Sequence, residues 1–345
     1  VLPTLCFLPE SCLRAPIYRP AVGTWLVVID ILLLLALPAS GKSEIRRYLA
    51  SVSPRVAHDD FHLGPTIQVD DYPYVYLMRR VSQEQHRLGV DPAFFSGDEE
   101  PFRDPGDWLT LTHLLAEDVA GLGTIREHPV APEALLERLL AARTQSGVGK
   151  GTLAGGTALA RALAPEATAI SAGLPVVSPE RLAEATIVVE FARGGPVGAV
   201  APLPHPVGYL ASLPALGTAV LERASILWVI ADAEESRRRN RERTRPGPEG
   251  DASILHHGVP EAVMAHDYGM DDLGWLLETS PVPGTIAVDA GDETCLLPVA
   301  RFDNRIDRTS FLRDEPASWP GESVAALHQD LTAALTSLAA PDTTR

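Results

Sequence analysis

Lysine is almost absent from this chain of 345 residues. Lys42 and Lys150 are its only two lysines, and every other basic residue is arginine. A planar guanidinium and a compact ammonium group are not interchangeable in binding sites. A lysine kept in such an arginine-rich background therefore marks a position to examine for function.

Cysteine and positive charge are also scarce. Three cysteines without a C-x-x-C pair exclude a disulfide framework and favour a reducing, cytoplasmic compartment. The formal net charge is −16. An acidic surface repels nucleic acid and anionic membranes, so the sequence argues against either as the main partner.

A long hydrophobic run is the third absence. The longest apolar segment, Thr24–Leu37, is short for a membrane span and contains Asp30. We interpret its second half as a buried strand, because parallel strands are continuously apolar. A signal peptide is the alternative interpretation, since Arg14 and Arg19 precede the run.

The residues that are present indicate a globular α/β enzyme. Hydrophobic residues make up 46% of the chain and charged residues 21%, which allows a sizeable core. Short apolar runs predict strands at Ile31–Leu35, Thr66–Val69, Thr186–Phe191, Ile226–Ile230 and Thr285–Val288. Helices are predicted at Lys42–Ser51, Val75–Leu88, Trp108–Leu122, Pro132–Arg143, Leu210–Arg223, Glu234–Arg245 and Ser323–Leu338. Their alternation predicts a three-layer fold around a parallel sheet.

The predicted elements belong to one domain. We expect that domain to cover residues 30–340 and a loosely ordered extension to cover residues 1–29. The interval between the second and third predicted strands is long and carries several helices. We therefore interpret residues 90–180 as a helical insertion on the substrate side of the domain; a separate small domain is the alternative.

A loop that resembles a phosphate-binding motif follows the first predicted strand. The segment from Ile31 to Glu44 ends in Ser-Gly-Lys-Ser and approximates the P-loop pattern G-x-x-x-x-G-K-[ST] between a strand and a helix. Such a loop turns its backbone N–H groups towards phosphates, its lysine reaches the β- and γ-phosphates, and its serine holds Mg²⁺. We therefore expect ATP and Mg²⁺ as cofactors, bound by Ala36, Pro38, Ala39, Ser40, Gly41, Lys42 and Ser43.

Two details qualify this motif. Ala36 occupies the position of the first glycine, which requires that residue to have a negative φ. A second segment, Ser146–Thr152, contains Lys150 and looks similar, but it follows a predicted helix. We interpret it as a flexible loop.

The next predicted strand ends in two carboxylates, in the sequence Thr-Ile-Gln-Val-Asp-Asp-Tyr-Pro-Tyr from Thr66. In an open α/β fold, ligands bind at the carboxyl ends of the parallel strands. The segment resembles P-loop kinases of the uridine kinase and phosphoribulokinase type. The resemblance implies that Asp70, with Asp71 as its alternative, accepts the proton of the acceptor hydroxyl. Tyr72 and Tyr74 are candidate walls of the acceptor pocket. A similar Asp-Asp-Phe-His segment at Asp59 comes earlier and ranks second.

The third strand delivers Glu190, followed by Arg193. Deoxynucleoside kinases close a comparable strand with a Glu-Arg pair, although here two residues separate the partners. The resemblance implies that Glu190 acts as a base or a Mg²⁺ ligand and that Arg193 neutralises phosphate.

Arginines crowd the helix predicted after the fourth strand, with six of them between Arg237 and Arg245. The related kinases carry an arginine-bearing helix that forms a lid over the transferring phosphoryl group. Residues four apart share a helix face, so Arg239 or Arg243 are the candidates for phosphate contact. The other arginines are expected to be solvated.

Two weaker segments complete the candidates. The histidines His256, His257 and His266 fit no standard zinc spacing, and we interpret both segments as loops. Phe302–Phe311 follows the last predicted strand, where such kinases often receive the adenine base.

Together these motifs predict a small-molecule kinase that transfers the γ-phosphoryl group of ATP to a hydroxyl of a nucleoside or similar metabolite. Two alternatives remain open from the sequence. One is a toxin-like or polynucleotide-type P-loop kinase, and the other is a regulatory protein that binds ATP as a switch. The sequence does not indicate an oligomeric state.

Overall fold

The computed structural model describes residues 28–124, 131–149, 153–243 and 258–339. Most of the expected N-terminal extension, Lys150, Arg245 and the His256-His257 pair lie outside the described residues.

A six-stranded sheet forms the centre of the described structure, with strand order β2-β3-β1-β4-β6-β5. Five strands are parallel, and β5 runs antiparallel to β6. The strands are β1 (Ile31–Leu35), β2 (Thr66–Asp70), β3 (Thr186–Phe191), β4 (Ala224–Ile230), β5 (Thr285–Ala290) and β6 (Glu293–Asp303). The expected α/β class with a mostly parallel sheet is thus confirmed.

Fourteen α-helices surround this sheet among the described residues. They are α1 (Lys42–Ser51), α2 (Pro54–Phe61), α3 (Tyr72–Arg87), α4 (Asp107–Gly121), α5 (Pro132–Gln145), α6 (Gly156–Ala162), α7 (Ala164–Gly173), α8 (Pro179–Leu182), α9 (Gly208–Ser212), α10 (Thr218–Leu221), α11 (Ala233–Arg243), α12 (Glu261–Asp267), α13 (Leu273–Thr279) and α14 (Gly321–Ala339). In the part of the chain that is described, none of them has both the length and the apolar character needed to cross a bilayer.

Both faces of the sheet are buried, which explains the unbroken aliphatic sequence of β1. Leu32 and Leu34 face a core formed with α1, α2 and α14. Ile31, Leu33 and Leu35 face the opposite core, formed with α4, the α9–α10 region and α13. The sheet therefore lies between two helical layers.

The expected insertion contributes a third core. Residues of α3 to α7 and of α12 pack around a cluster that includes Tyr74, Trp108 and Leu139. Helix α4 joins two cores, because Leu111 and Leu114 belong to this cluster while Leu115 and Val119 pack on the sheet. The segment is thus anchored to the domain through α4.

Two expectations about local structure were wrong. The strand at Thr285–Ala290 is not parallel: it forms a hairpin with β6 through Gly291, whose φ of 68° suits a tight turn. The single helix predicted at Leu210–Arg223 is divided into α9, a short 3₁₀ turn at Pro214–Leu216 and α10. A proline inside a helix removes a hydrogen bond donor, and Gly217 adopts a φ of 77°, so the helix cannot continue.

Candidate active site

The loop between β1 and α1 contains two residues with a positive φ. Ala39 has a φ of 53° and Gly41 a φ of 106°, and α1 begins at Lys42 without a side-chain cap. Uncapped N–H groups at a helix N-terminus favour anions. Ala36 has a negative φ, so alanine fits the position of the first motif glycine.

Side chains from three distant segments fix this loop from outside. The Tyr209 hydroxyl lies 3.0 Å from the Ala36 nitrogen, Ser236 Oγ donates to the Pro38 carbonyl at 2.6 Å, and Asn304 Nδ2 donates to the Ser40 carbonyl at 2.7 Å. The side chains packed on the loop leave little space for a side chain at position 41. A Cβ at Gly41 would lie 2.5 Å from Asn304 Nδ2 and from a threonine hydroxyl in the segment after β6.

The Lys42 ammonium group lies inside the loop. Its side chain is buried, and Nζ donates to the carbonyl oxygens of Ala36 and Leu37 at 3.1 Å each. Burial raises the pKa of Asp271 to about 6, and Lys42 is near enough to oppose that rise. The positive charge of Lys42 thus lies directly against the backbone of the loop.

Ser43 and Glu190 meet beside this loop. Strands β1 and β3 are neighbours, with Leu34 opposite Glu190, so Glu190 lies one strand away from the loop. Ser43 Oγ donates to Glu190 Oε1 at 3.4 Å. A hydroxyl and a single carboxylate suit Mg²⁺, which usually completes its octahedron with water and substrate phosphates. Among the described residues, no group of three or more histidine, cysteine or acidic side chains is arranged to hold a metal ion.

Asp70 lies on the other side of Glu190, because β2 pairs with β3 and Asp70 is opposite Glu190 in the register. Arg46 Nη1 lies 3.0 Å from Glu190 Oε2 and 3.5 Å from Asp70 Oδ2. Burial, reinforced by the neighbouring Glu190 carboxylate and opposed by Arg46, raises the pKa of Asp70 to about 6. A carboxylate with a pKa near neutrality is suited to proton transfer.

Asp71 and Arg193 form a separate ion pair. Arg193 Nη1 lies 2.6 Å from Asp71 Oδ2, and Nη2 donates to the Trp108 carbonyl and to Thr112 Oγ1. The Arg193 side chain is 1% exposed. The structure therefore places Arg193 between the strand end and α4, where it braces Asp71.

The arginine-bearing helix α11 packs on the loop through Ser236. Arg239 is 1% exposed and donates through Nη2 to the Asn304 carbonyl at 2.8 Å and through Nε to Glu235 at 2.6 Å. Its Nη1 is buried and has no hydrogen bond partner among the residues that the structure describes. The structure thus places Arg239 against the segment that supports the loop. Arg243 ends α11, and its side chain is outside the described part.

Of the remaining candidates, Tyr72 lies beside this centre, and the others have partners elsewhere. Tyr72 lines a cavity beside Asp70, whereas Tyr74 is buried and donates to Asp118 at 2.5 Å. The earlier acidic segment belongs to helix α2, where Asp59 contacts exposed neighbours. His266 lies in helix α12, so the loop interpretation of that segment was wrong.

Sequence reasoning missed three site residues. Arg46 is three residues after Ser43 and therefore shares its helix face, which is a readable signal. Asp271 lies two residues before α13, far along the chain, and Tyr209 lies one residue before the helix predicted at Leu210–Arg223. Neither carries a local motif that could have revealed its role.

Comparisons with known proteins add no relative to this picture. No protein-family model, no curated protein and no solved structure matches the chain.

Proposed function

We propose that this protein is an ATP-dependent small-molecule kinase with a P-loop fold, which transfers the γ-phosphoryl group of ATP to an acceptor hydroxyl. The observation that carries the proposal is the order of groups along three neighbouring strand ends. Lys42 and Ser43 follow β1, Glu190 ends β3 and Asp70 ends β2. Phosphate binding, metal binding and proton acceptance thus have adjacent candidate residues.

Mg-ATP fits the residues present. The turn with positive φ at Ala39 and Gly41 leaves the first-turn N–H groups of α1 uncapped, and these would hold the phosphates. Ser43 and Glu190 would hold Mg²⁺, which supplies neutralisation of phosphate charge.

The chain's own residues perform the remaining tasks. Lys42 Nζ exchanges its two loop carbonyls for phosphate oxygens and places positive charge where negative charge develops. Asp70 orients the acceptor hydroxyl and accepts its proton. Arg46 balances Asp70 and Glu190 and holds both carboxylates in place.

The first experiment measures Mg-ATP binding by calorimetry and ATP consumption across nucleosides, sugars, amino alcohols and vitamins. We expect Mg-dependent ATP binding and turnover with one acceptor class. Lys42→Ala should lower turnover by about 10²–10³-fold, the usual cost of removing one such electrostatic contact.

Lys150→Ala is the matched control, because it removes the chain's only other lysine. Its turnover should equal that of the unaltered protein. Full activity of Lys42→Ala would refute the proposal. Binding of Mg-ATP without transfer to any acceptor would instead favour a regulatory switch, and salt-dependent oligonucleotide binding would favour a polynucleotide kinase.

A further inference from the structure

A cavity of about 490 Å³ opens beside Asp70. Its walls come from the carboxyl half of β2, the first turns of α3, and α7 with the residues that follow it. Gln68, Asp70, Tyr72, Tyr76, Glu166 and Ile170 are among the lining residues. The volume falls within the range of small-molecule sites.

The cavity reaches the proposed reaction centre through one residue. Asp70 lines it and is also the register partner of Glu190, which contacts Ser43. A hydroxyl inside the cavity that contacts Asp70 is therefore next to the proposed metal and phosphate position. A group entering from this side meets the candidate base before the phosphate loop.

Two acceptor atoms of the lining side chains have no hydrogen bond partner among the described residues. These atoms are Gln68 Oε1 and Glu166 Oε2, and both are buried. Glu166 Oε1, by contrast, accepts from Arg80 Nε at 2.7 Å. A buried acceptor without a donor is costly, so a ligand donor that reaches either side chain would be favourable.

The charge of the wall is negative. Among the described residues, Asp70, Asp118 and Glu166 line the cavity, and no lysine, arginine or histidine does. The arginines behind the wall do not offset this charge fully, because each one also contacts a second acidic residue. Asp70 shares Arg46 with Glu190, Glu166 shares Arg80 with Glu84, and Asp118 shares Arg138 with Glu117. An anion in the cavity would meet repulsion, and a cation would meet attraction.

Resting on the proposed kinase function, we propose that this cavity binds the phosphoryl acceptor and that the acceptor is a hydroxyl compound bearing a protonated amine. Its ammonium group pairs with the Glu166 carboxylate, its carbon skeleton packs on Tyr72 and Ile170, and its hydroxyl faces Asp70. In the transfer the acceptor oxygen forms a bond to the γ-phosphorus, the bond between that phosphorus and the β–γ bridging oxygen breaks, ADP leaves, and the hydroxyl proton passes to Asp70.

The test compares acceptors that differ only in charge. Amino sugars, amino alcohols and aminocyclitols are each matched with the uncharged polyol and with a phosphorylated or carboxylated counterpart, such as glucosamine, glucose and glucose 6-phosphate. Calorimetry on the Mg-ADP complex measures acceptor binding without turnover, and ATP consumption measures transfer. We expect cationic members to bind and react at least tenfold better than their uncharged counterparts, with no binding of the anions.

Glu166→Gln tests the residue assignment. Its KM for the cationic acceptor should rise about tenfold or more, which corresponds to about 1.4 kcal/mol. Its kcat and its KM for ATP should stay the same, because Glu166 is distant from the reacting atoms in the proposed arrangement. Glu84→Gln is the matched control, since Glu84 also contacts Arg80 but does not line the cavity. It should leave the acceptor KM unchanged.

Three results would overturn this inference. These are equal use of cationic and uncharged acceptors, transfer to a phosphorylated acceptor, or no saturable binding by any cationic member. Each is distinct from failure of the kinase proposal, because Mg-ATP binding is measured without an acceptor.

Discussion

Replacing Asp70 by asparagine should make the protein more stable and less active. Burial and the nearby Glu190 carboxylate raise the pKa of Asp70 to about 6 from 3.8. The charged form is therefore disfavoured in the folded protein relative to the unfolded chain. Asparagine has a similar shape and carries no charge, so the variant is free of this penalty.

The size of the effect follows from the two pKa values. The difference between 3.8 and about 6 corresponds to about 3 kcal/mol, which is an upper value because the variant also loses attraction to Arg46. A raised carboxyl pKa means that the folded state binds more protons between these values. The contribution of protonated Asp70 to the free energy of unfolding is therefore fully present below about pH 4 and is lost as the pH rises through about 6. The gain of Asp70→Asn should be near zero at pH 4 and reach its full value above pH 6.

Urea unfolding at pH 4, 5, 6 and 7 measures this gain through the unfolding midpoint and slope. Asp59→Asn serves as the control, because hydrogen bonds from His58 and Arg55 lower the pKa of Asp59 and give no such penalty. It should show no gain as the pH rises. Activity should fall about 10²–10⁴-fold in Asp70→Asn, as for loss of a general base. A destabilised Asp70→Asn at pH 7, or a gain that does not depend on pH, would refute the reasoning.

Two further predictions concern the phosphate loop. Tyr209→Phe removes the hydroxyl beside the Ala36 nitrogen and should lower the free energy of unfolding by about 1–3 kcal/mol, whereas Tyr76→Phe, on an exposed side chain, should change it little in the same urea titration. Gly41→Ala should cost about 2 kcal/mol or more and weaken Mg-ATP binding in calorimetry, because a Cβ there meets two side chains at 2.5 Å and the φ is positive. Gly89→Ala, with a φ of 71° and open space around it, shows only the backbone part of that cost; equal losses in the two variants would contradict the steric argument.

The sequence predicted the central strands well because both faces of the sheet are covered. Continuous aliphatic runs gave the bounds of β1 and β3 without error, and the loop after β1 followed from its motif. β6 was missed because its pattern alternates and Pro298 lies inside it, which argues against a central strand. The order Gly291-Asp292 between two apolar runs was an unused hairpin signal.

Candidate site residues could be predicted from the sequence where they lie at the carboxyl ends of parallel strands. Asp70 and Glu190 lie side by side because β2 and β3 are neighbours, as expected for acids at the same sheet edge. The partner of Arg193 was not predictable, because its contacts with Asp71 and Trp108 depend on how the insertion packs. The cavity beside Asp70 was not predicted either, because one of its walls is α7, and the position of α7 also depends on how the insertion packs.

The side chains that contact the loop between β1 and α1 imply that the motif sequence alone does not form the site. One supporting side chain comes from α9, one from α11 and one from the segment after β6, and together they span nearly the whole domain. A peptide or truncated fragment with residues 28–90 keeps every residue of the motif but loses all three supporting side chains. Grafting the motif into another scaffold, or ending the chain before residue 304, thus keeps the sequence of the motif but removes contacts that hold the loop in its conformation.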